Sequence, residues 1–344
     1  MLERVCGVSI AAVFCAAASI AVGPARADAV ADFYASHHIT IVIGSSGGGS
    51  YDVTARLTAR FLPKYIPGNP TIVLQNMPGA SHVRAQEYLA NLAPKDGSAL
   101  AFVQPSVVMN AITNPAAKYN PADMTWIGRL QAVHNVGFAL TASGVTSVAA
   151  ALQKPLVIGA AGSTGPAAMV PWALNRMIGA KFKIVRGYAD DTAEFVALER
   201  AEIMGMGSAN FASVARHTGW LEGGVVKLLY TISTARKPAA PDTPSIVELV
   251  QTQRDKAVMS LIGSIPDIGI TIEAPAKIPA DRAAALRAAA WQMFHDPEFI
   301  AGMRTLELDV DPLRGEDVAA IVGAAMRTPR DAVEALKELT APMD

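Results

Sequence analysis

From residue 39 onward, short apolar runs alternate with stretches whose apolar positions recur every three or four residues. ITIVI at 39–43 reads as a buried parallel strand, because a continuous β-branched run leaves no face for solvent. The 51–65 segment reads as a helix, with Val53, Leu57, Phe61 and Leu62 on one side and Ser50 placed to cap it. TIVLQN (71–76) and ALAFVQ (99–104) are the next strands, with the turns IPGNP and APKDG and a helix over 81–92 between them. This β-α-β-α-β order predicts a doubly wound parallel sheet.

Near residue 130 the pattern restarts. VGFALTA (136–142), the start of LVIGAAGSTGPA (156–167), KFKIVRGY (181–188) and VVKLLYTI (225–232) are strand-like, and 192–201 is helix-like. Past 250 the character changes again, with a strand at Ile270–Ala274 and helices over 280–295, 317–323 and 329–339. Strand, glycine-rich loop and helix therefore occur twice, at 39–52 and 156–170. Two such units, each offering free backbone N–H groups at a helix N-terminus, predict a cleft that holds an anion from both sides.

Composition narrows the class. The chain has 344 residues, 51% hydrophobic and 17% charged, with a net charge of −1. That is enough for two hydrophobic cores, and it excludes a basic nucleic-acid surface or a polybasic membrane patch. Arg4, the apolar GVSIAAVFCAAASIAVG and the A-x-A site Ala25-Arg26-Ala27 read as a secretory signal over 1–27, which predicts a periplasmic protein. Phe14 before Cys15 disfavours a lipoprotein. Both cysteines, Cys6 and Cys15, fall inside that leader, so the mature chain is expected to hold no disulfide and no thiol.

The first glycine loop admits three chemical readings. Gly47-x-Gly49-x-x-Asp52 approaches a dinucleotide fingerprint, but Asp52 stands where the third glycine belongs and would repel a pyrophosphate. Gly44-Ser45-Ser46-Gly47-Gly48 matches the G-x-S-x-G elbow of a serine hydrolase, with Ser46 as nucleophile. Against this, the elbow would follow the first strand, three glycines hold a serine poorly, and the late histidine, His295, ends a helix. The third reading is an anion cradle, in which the glycines let N–H groups approach a carboxylate while Ser45, Ser46 and Ser50 add hydroxyls. Asp52 is then either a helix-start stabiliser or a contact to a ligand donor. His37, His38, His82, His134 and His217 have no metal-ligand spacing, so neither metal nor cofactor is expected. Trp172 follows the second glycine loop, and Arg186 beside Tyr188 could pair with a second ligand carboxylate or be solvated.

ITIVIGSSGGGSYDVTARLTARFL resembles the opening of the substrate-binding proteins of tripartite tricarboxylate transporters, the Bug receptors. VLQNMPGASHVRAQEYLANLAPKDGSALAF, GAAGSTGPA, VRGYADDTAEFVALERAEI, the R-K-P-A-A-P-D-T-P run from 236 and APAKIPADRAAALRAAAWQMFHDPEF are similar in the same order. The resemblance implies an α/β, type II periplasmic-binding-protein fold, in which two α/β lobes close on a small carboxylate in the cleft between them. Lobe I would comprise 28–131 plus 251–344, and lobe II 132–250. The family's ligand loops map onto Gly44, Ser45, Ser46, Gly47, Gly48, Gly49, Ser50, Tyr51 and Asp52. They also map onto Pro78, Gly79 and Ala80 of the Asn76-Met77-Pro78-Gly79-Ala80 loop, onto Gly162, Ser163, Thr164 and Gly165, and onto the Tyr188 region with Arg186. Two departures matter. Gly44-Ser45-Ser46 replaces the Phe-Pro-Pro of many members, and Met204 replaces the usual acid, leaving Ser208 and Asn210 as polar candidates. The implied function is a monomeric, non-enzymatic solute receptor that serves a membrane permease. The alternatives are a secreted hydrolase using Ser46 and a ligand-sensing partner of a two-component system.

Overall fold

A computed structural model describes residues 25–340 except 49, 161–164, 189–190 and 307, with the side chains of 25–28, 50, 191–192 and 340 also left aside. The expected leader lies outside the described residues, apart from 25–27, which open the helix Ala25–Ser36.

Among the described residues, eleven strands form two sheets: β1 (Ile39–Ile43), β2 (Ile72–Asn76), β3 (Ala99–Phe102), β4 (Thr125–Gln131), β5 (Asn135–Leu140), β6 (Leu156–Ala160), β7 (Phe182–Arg186), β8 (Gly205–Asn210), β9 (Val226–Thr231), β10 (Ile270–Ala274) and β11 (Leu313–Arg314). The first sheet has the order β11-β4-β10-β3-β1-β2 and the second β7-β6-β8-β5-β9. In the first, β2, β1 and β3 are parallel, with Ile41 opposite Leu74 and Leu100. In the second, β7, β6 and β8 are parallel.

Neither sheet is purely parallel, which corrects the doubly wound expectation. β10 runs antiparallel to both β3 and β4. β5 runs antiparallel to both β8 and β9. In each sheet the strand beside the parallel trio is one that follows a crossing of the chain. The first crossing is residues 132–134, between β4 and β5, and the chain returns between β9 and β10. Local apolar patterning does not encode such an insertion, because β10 looks the same in either direction.

Continuous apolar strands are buried on both faces, as their sequences require. Ile39, Ile41, Ile43, Leu100, Phe102 and Ile272 pack on one side of the first sheet against the helices Ser50–Phe61 and Ala280–Phe294. Val42, Ala101 and Trp126 face the other side, in a cluster that continues through the helix Gln253–Ile268 to Leu156 and Ile158 of the second sheet. Gly263 sits in that helix where an added Cβ would lie 2.6 Å from the Ser233 carbonyl carbon, so the glycine lets the return segment cross closely. Pro266, in the same helix, accepts the Val133 N–H through its carbonyl at 3.1 Å. Both crossings thus rest on one helix.

Candidate functional site

The loops that follow β1, β3 and β6 meet the first crossing around a cavity of about 520 Å³. Its wall comprises Tyr51, the Gln104-Pro105-Ser106 turn, Met109, Val133, Asn135, the Gly165-Pro166 turn and Met169, with Ile262, Ile265 and Pro266 from the crossing helix. Open α/β sheets bind ligands at this position, outside the carboxyl ends of parallel strands. Two helices begin at the wall, Ser106–Thr113 and Pro166–Ile178, and a third, Ser50–Phe61, presents Tyr51 from its first turn. First-turn N–H groups have no helical carbonyl to bind, so each helix start adds donors and partial positive charge.

The glycine loop is closed by Asp52. Its Oδ2 accepts the Gly48 N–H at 2.9 Å and Arg56 Nε at 2.8 Å, and its Oδ1 accepts Asn76 Nδ2 at 3.0 Å and Arg56 Nη2 at 3.1 Å. Asp52 is 2% exposed. The Arg56 hydrogen bond, above all, holds its carboxyl down at about 2, with the Gly48 and Asn76 donors assisting against burial. Gly48 takes φ +91, a backbone conformation suited to glycine.

Gly44 is the second fixed point. Its N–H donates to the Phe102 carbonyl at 3.0 Å, and an added Cβ would lie 2.3 Å from His82 Nδ1. His82 is buried, accepts the Gln104 N–H at Nδ1 (3.1 Å) and meets the Tyr51 ring edge-on at 4.9 Å. Burial pushes its imidazole below the ordinary range, so the ring is neutral and carries its proton on Nε2. Burial likewise pushes the Tyr51 phenol up, leaving it a hydrogen-bond donor at every physiological pH. His82 is reached through three successive left-handed residues, Ala80 (φ 47), Ser81 (φ 50) and His82 (φ 72). Such backbone is costly for non-glycine residues and gathers at functional loops.

The expected site residues divide into several groups. Tyr51 and Gly165 line the cavity. Ser45 accepts Asn76 Nδ2 at its carbonyl (2.9 Å), while its buried Oγ has no hydrogen-bond partner. Ser46, Gly47, Gly48, Pro78, Gly79 and Ala80 are exposed. Gly49, Gly162, Ser163 and Thr164 lie outside the described residues, and so does the side chain of Ser50. Arg186 lies over the Trp172 ring at 5.8 Å, and Tyr188 packs against the Phe138 cluster. Ser208 is buried in β8, and Asn210 caps the next helix by accepting the Ala212 N–H at 2.9 Å. Among the described residues no histidine is hydrogen-bonded to Ser46.

Sequence reasoning missed Gln104, Pro105, Ser106, Met109, Val133, Asn135, Met169 and the 262–266 turn of the crossing helix. The first three had a usable signal, since a Pro-Ser step directly after a strand marks a helix start. The rest are apolar or isolated and carried none.

No protein-family model matches the chain. A UPF0065 protein of Cupriavidus necator is 30% identical over 246 residues, which cover 68% of this chain and 71% of that one. A TctC solute-binding protein from Polaromonas, solved without ligand, superposes with a TM-score of 0.68 at 19% identity, covering 89% of this chain and 98% of that one. An R. palustris protein solved with adipate gives a TM-score of 0.54 at 21% identity, covering 89% and 97%. The two-sheet fold is that of the TctC solute-binding protein, and the Cupriavidus relative identifies the chain as a member of the UPF0065, or Bug, family.

Proposed function

We propose that this protein is a periplasmic receptor that captures a small organic carboxylate between its two sheets and delivers it to the permease of a tripartite tricarboxylate-type transporter. The observation that carries this reading is the cavity, which is bounded by elements of both sheets and by the first crossing. Sheet membership supports dividing the chain into lobe I (28–131 plus 251–344) and lobe II (132–250), with the crossings as hinge. Neutral donors suit an anion here. Tyr51, Gln104, Ser106 and Asn135 offer uncharged polar groups, helix starts add N–H donors, and hydrogen bonds to a charged acceptor are the stronger kind. The leader at 1–27 supports export, and the adipate-bound R. palustris neighbour supports a carboxylate ligand. The receptor acts as a monomer, and its closed form presents both lobes to the permease.

A thermal-shift screen of the mature chain against organic acids tests the reading, because a ligand specific to the folded state raises the midpoint by mass action. A shift with at least one carboxylate is expected. A flat response in a sample that native mass spectrometry shows to be ligand-free would refute it.

A further inference from the structure

The loop after β2 serves the cavity without lining it. Pro78, Gly79 and Ala80 are exposed and stand outside the wall. The loop ends in the left-handed residues Ala80, Ser81 and His82, and the helix Val83–Asn91 follows at once. What this costly backbone delivers is one buried ring. His82 lies between two lining residues that come from different loops. Its Nδ1 accepts the Gln104 N–H of the turn after β3, and its ring meets Tyr51 of the loop after β1. Gly44, whose N–H is bonded to the Phe102 carbonyl, leaves the ring its space.

We infer that His82 is a positioning residue of the cavity: as a neutral ring it holds the Gln104 turn and Tyr51 in register, and a proton taken up at Nδ1 unseats them. This concerns the wall itself and holds whichever ligand the cavity takes. In the neutral ring Nε2 carries the proton, so Nδ1 is the nitrogen left to accept another. Once it does, two N–H groups face each other, the Gln104 amide loses its acceptor, and a cation stands in a buried place. No neighbour offsets that charge. Tyr51, from the helix Ser50–Phe61, stays a neutral phenol. Asp52, next along that helix, is spent on Arg56, Gly48 and Asn76. Gly44 and the Gln104 amide do not titrate, and the helix Ser106–Thr113, which packs against the same loop, has no titratable side chain. On the helix that His82 precedes, Arg84 is itself a cation and lies against Gly79, while Glu87 acts on Tyr119. Burial is what shifts the imidazole, and it places the event on the acid side of 6.5. The wall then loosens, since opening it returns the orphaned donor and the cation to water.

Nuclear magnetic resonance of the ligand-free mature chain between about pH 8 and pH 5 tests this. At the alkaline end the His82 ring should be the Nε2–H tautomer. On acidification its ring nitrogens, the Gln104 amide, the Tyr51 ring and the Met109 methyl should move with one midpoint below 6.5. Met169, in the same wall but on the helix Pro166–Ile178, should stay in place. His82→Asn keeps an acceptor, tolerates the left-handed backbone and does not titrate, so its Gln104 amide should ignore pH. In His82→Ala hydrogen exchange at the Gln104 amide should be about fivefold to tenfold faster than in His82→Asn, the worth of one hydrogen bond. An Nδ1–H tautomer, or a ring still neutral at the acid end, would overturn the inference. So would a Gln104 amide that stays still while His82 titrates, one that titrates equally in His82→Asn, or a Met169 signal sharing the midpoint, which would mark global unfolding. Each of these outcomes leaves the carboxylate-receptor reading to the ligand screen.

Discussion

Asn76 Nδ2 lies 3.0 Å from Asp52 Oδ1 and 2.9 Å from the Ser45 carbonyl oxygen, so one amide at the end of β2 fastens both arms of the glycine loop. Asp52 completes the clasp through Gly48 and Arg56. The described part of the loop is therefore held by the fold itself, and its conformational cost is met in folding.

Asp52→Ala removes the hub of this clasp. It should cost about 1–3 kcal/mol of stability, since Gly48 and Asn76 lose a charged acceptor. Ligand affinity should fall by roughly tenfold as the loop loosens. Urea unfolding and calorimetry on the same sample separate the two effects. Lost affinity with unchanged stability would assign Asp52 to the ligand and not to the loop.

The same carboxylate sets an acid limb. Its folded value of about 2 lies below the ordinary 3.8. A depressed carboxylate contributes stability that is present above pH about 4 and disappears as pH falls toward 2. Asp52→Asn should make the fall in the unfolding midpoint shallower across that window, the remainder belonging to Asp296, which the Tyr65 hydroxyl holds down to about 2 as well; an unaltered acid limb would place the titrating group elsewhere.

Glu273 predicts the opposite slope. It is fully buried on β10, and burial pushes it up to about 8 from 4.5, outweighing the opposing effect of the Gln86 side chain. The folded state then holds a proton that the unfolded state releases, so stability declines as pH rises from about 4.5 to 8. Glu273→Gln should leave the midpoint unchanged near pH 4 and raise it by several degrees near pH 8.5. Equal midpoints at both pH values would show that Glu273 gains a counter-charge in solution.

Gly44→Ala should destabilise the protein by about 1–3 kcal/mol, the range for overpacking, because its Cβ would meet the His82 ring at 2.3 Å. His82 cannot swing aside freely, being held by the Gln104 N–H and the Tyr51 ring. Adding His82→Ala should recover part of the loss. Strict additivity of the two changes in a double-mutant cycle would deny the contact.

Tyr51→Phe should weaken carboxylate binding by about fivefold to tenfold, the worth of one hydrogen bond to a charged group, while the ring keeps its packing on His82. The unfolding midpoint should stay within error of wild type. Unchanged affinity would mean that the phenol points past the ligand.

Much of the scaffold was legible along the chain. β1 announced itself through five β-branched residues in a row, and the glycines after it marked the carboxyl end of a parallel strand, where α/β sheets bind ligands. Gly165 carried the same signal after β6 and does line the cavity. These are local properties, since the chain's own dihedral preferences and burial pattern encode them within a few residues. The role of Asp52 was not local. A carboxylate in a first helical turn serves the dipole or a ligand equally well, and only the arrival of Asn76 from β2 and the curl of Gly48 made it the clasp of the loop. The mixed sheets were likewise a tertiary decision, because β10 joins β3 only after the chain has crossed to the second sheet and back. The same two crossings bring Ile262, Ile265 and Pro266 to a cavity whose Tyr51, Gln104 and Ser106 lie more than 150 residues earlier in the chain. Sequence by itself determined the elements and the glycine-rich turns that follow β1 and β6. Tertiary structure decided what lines the cavity, because an apolar side chain reads as core wherever it stands until the fold leaves a space beside it.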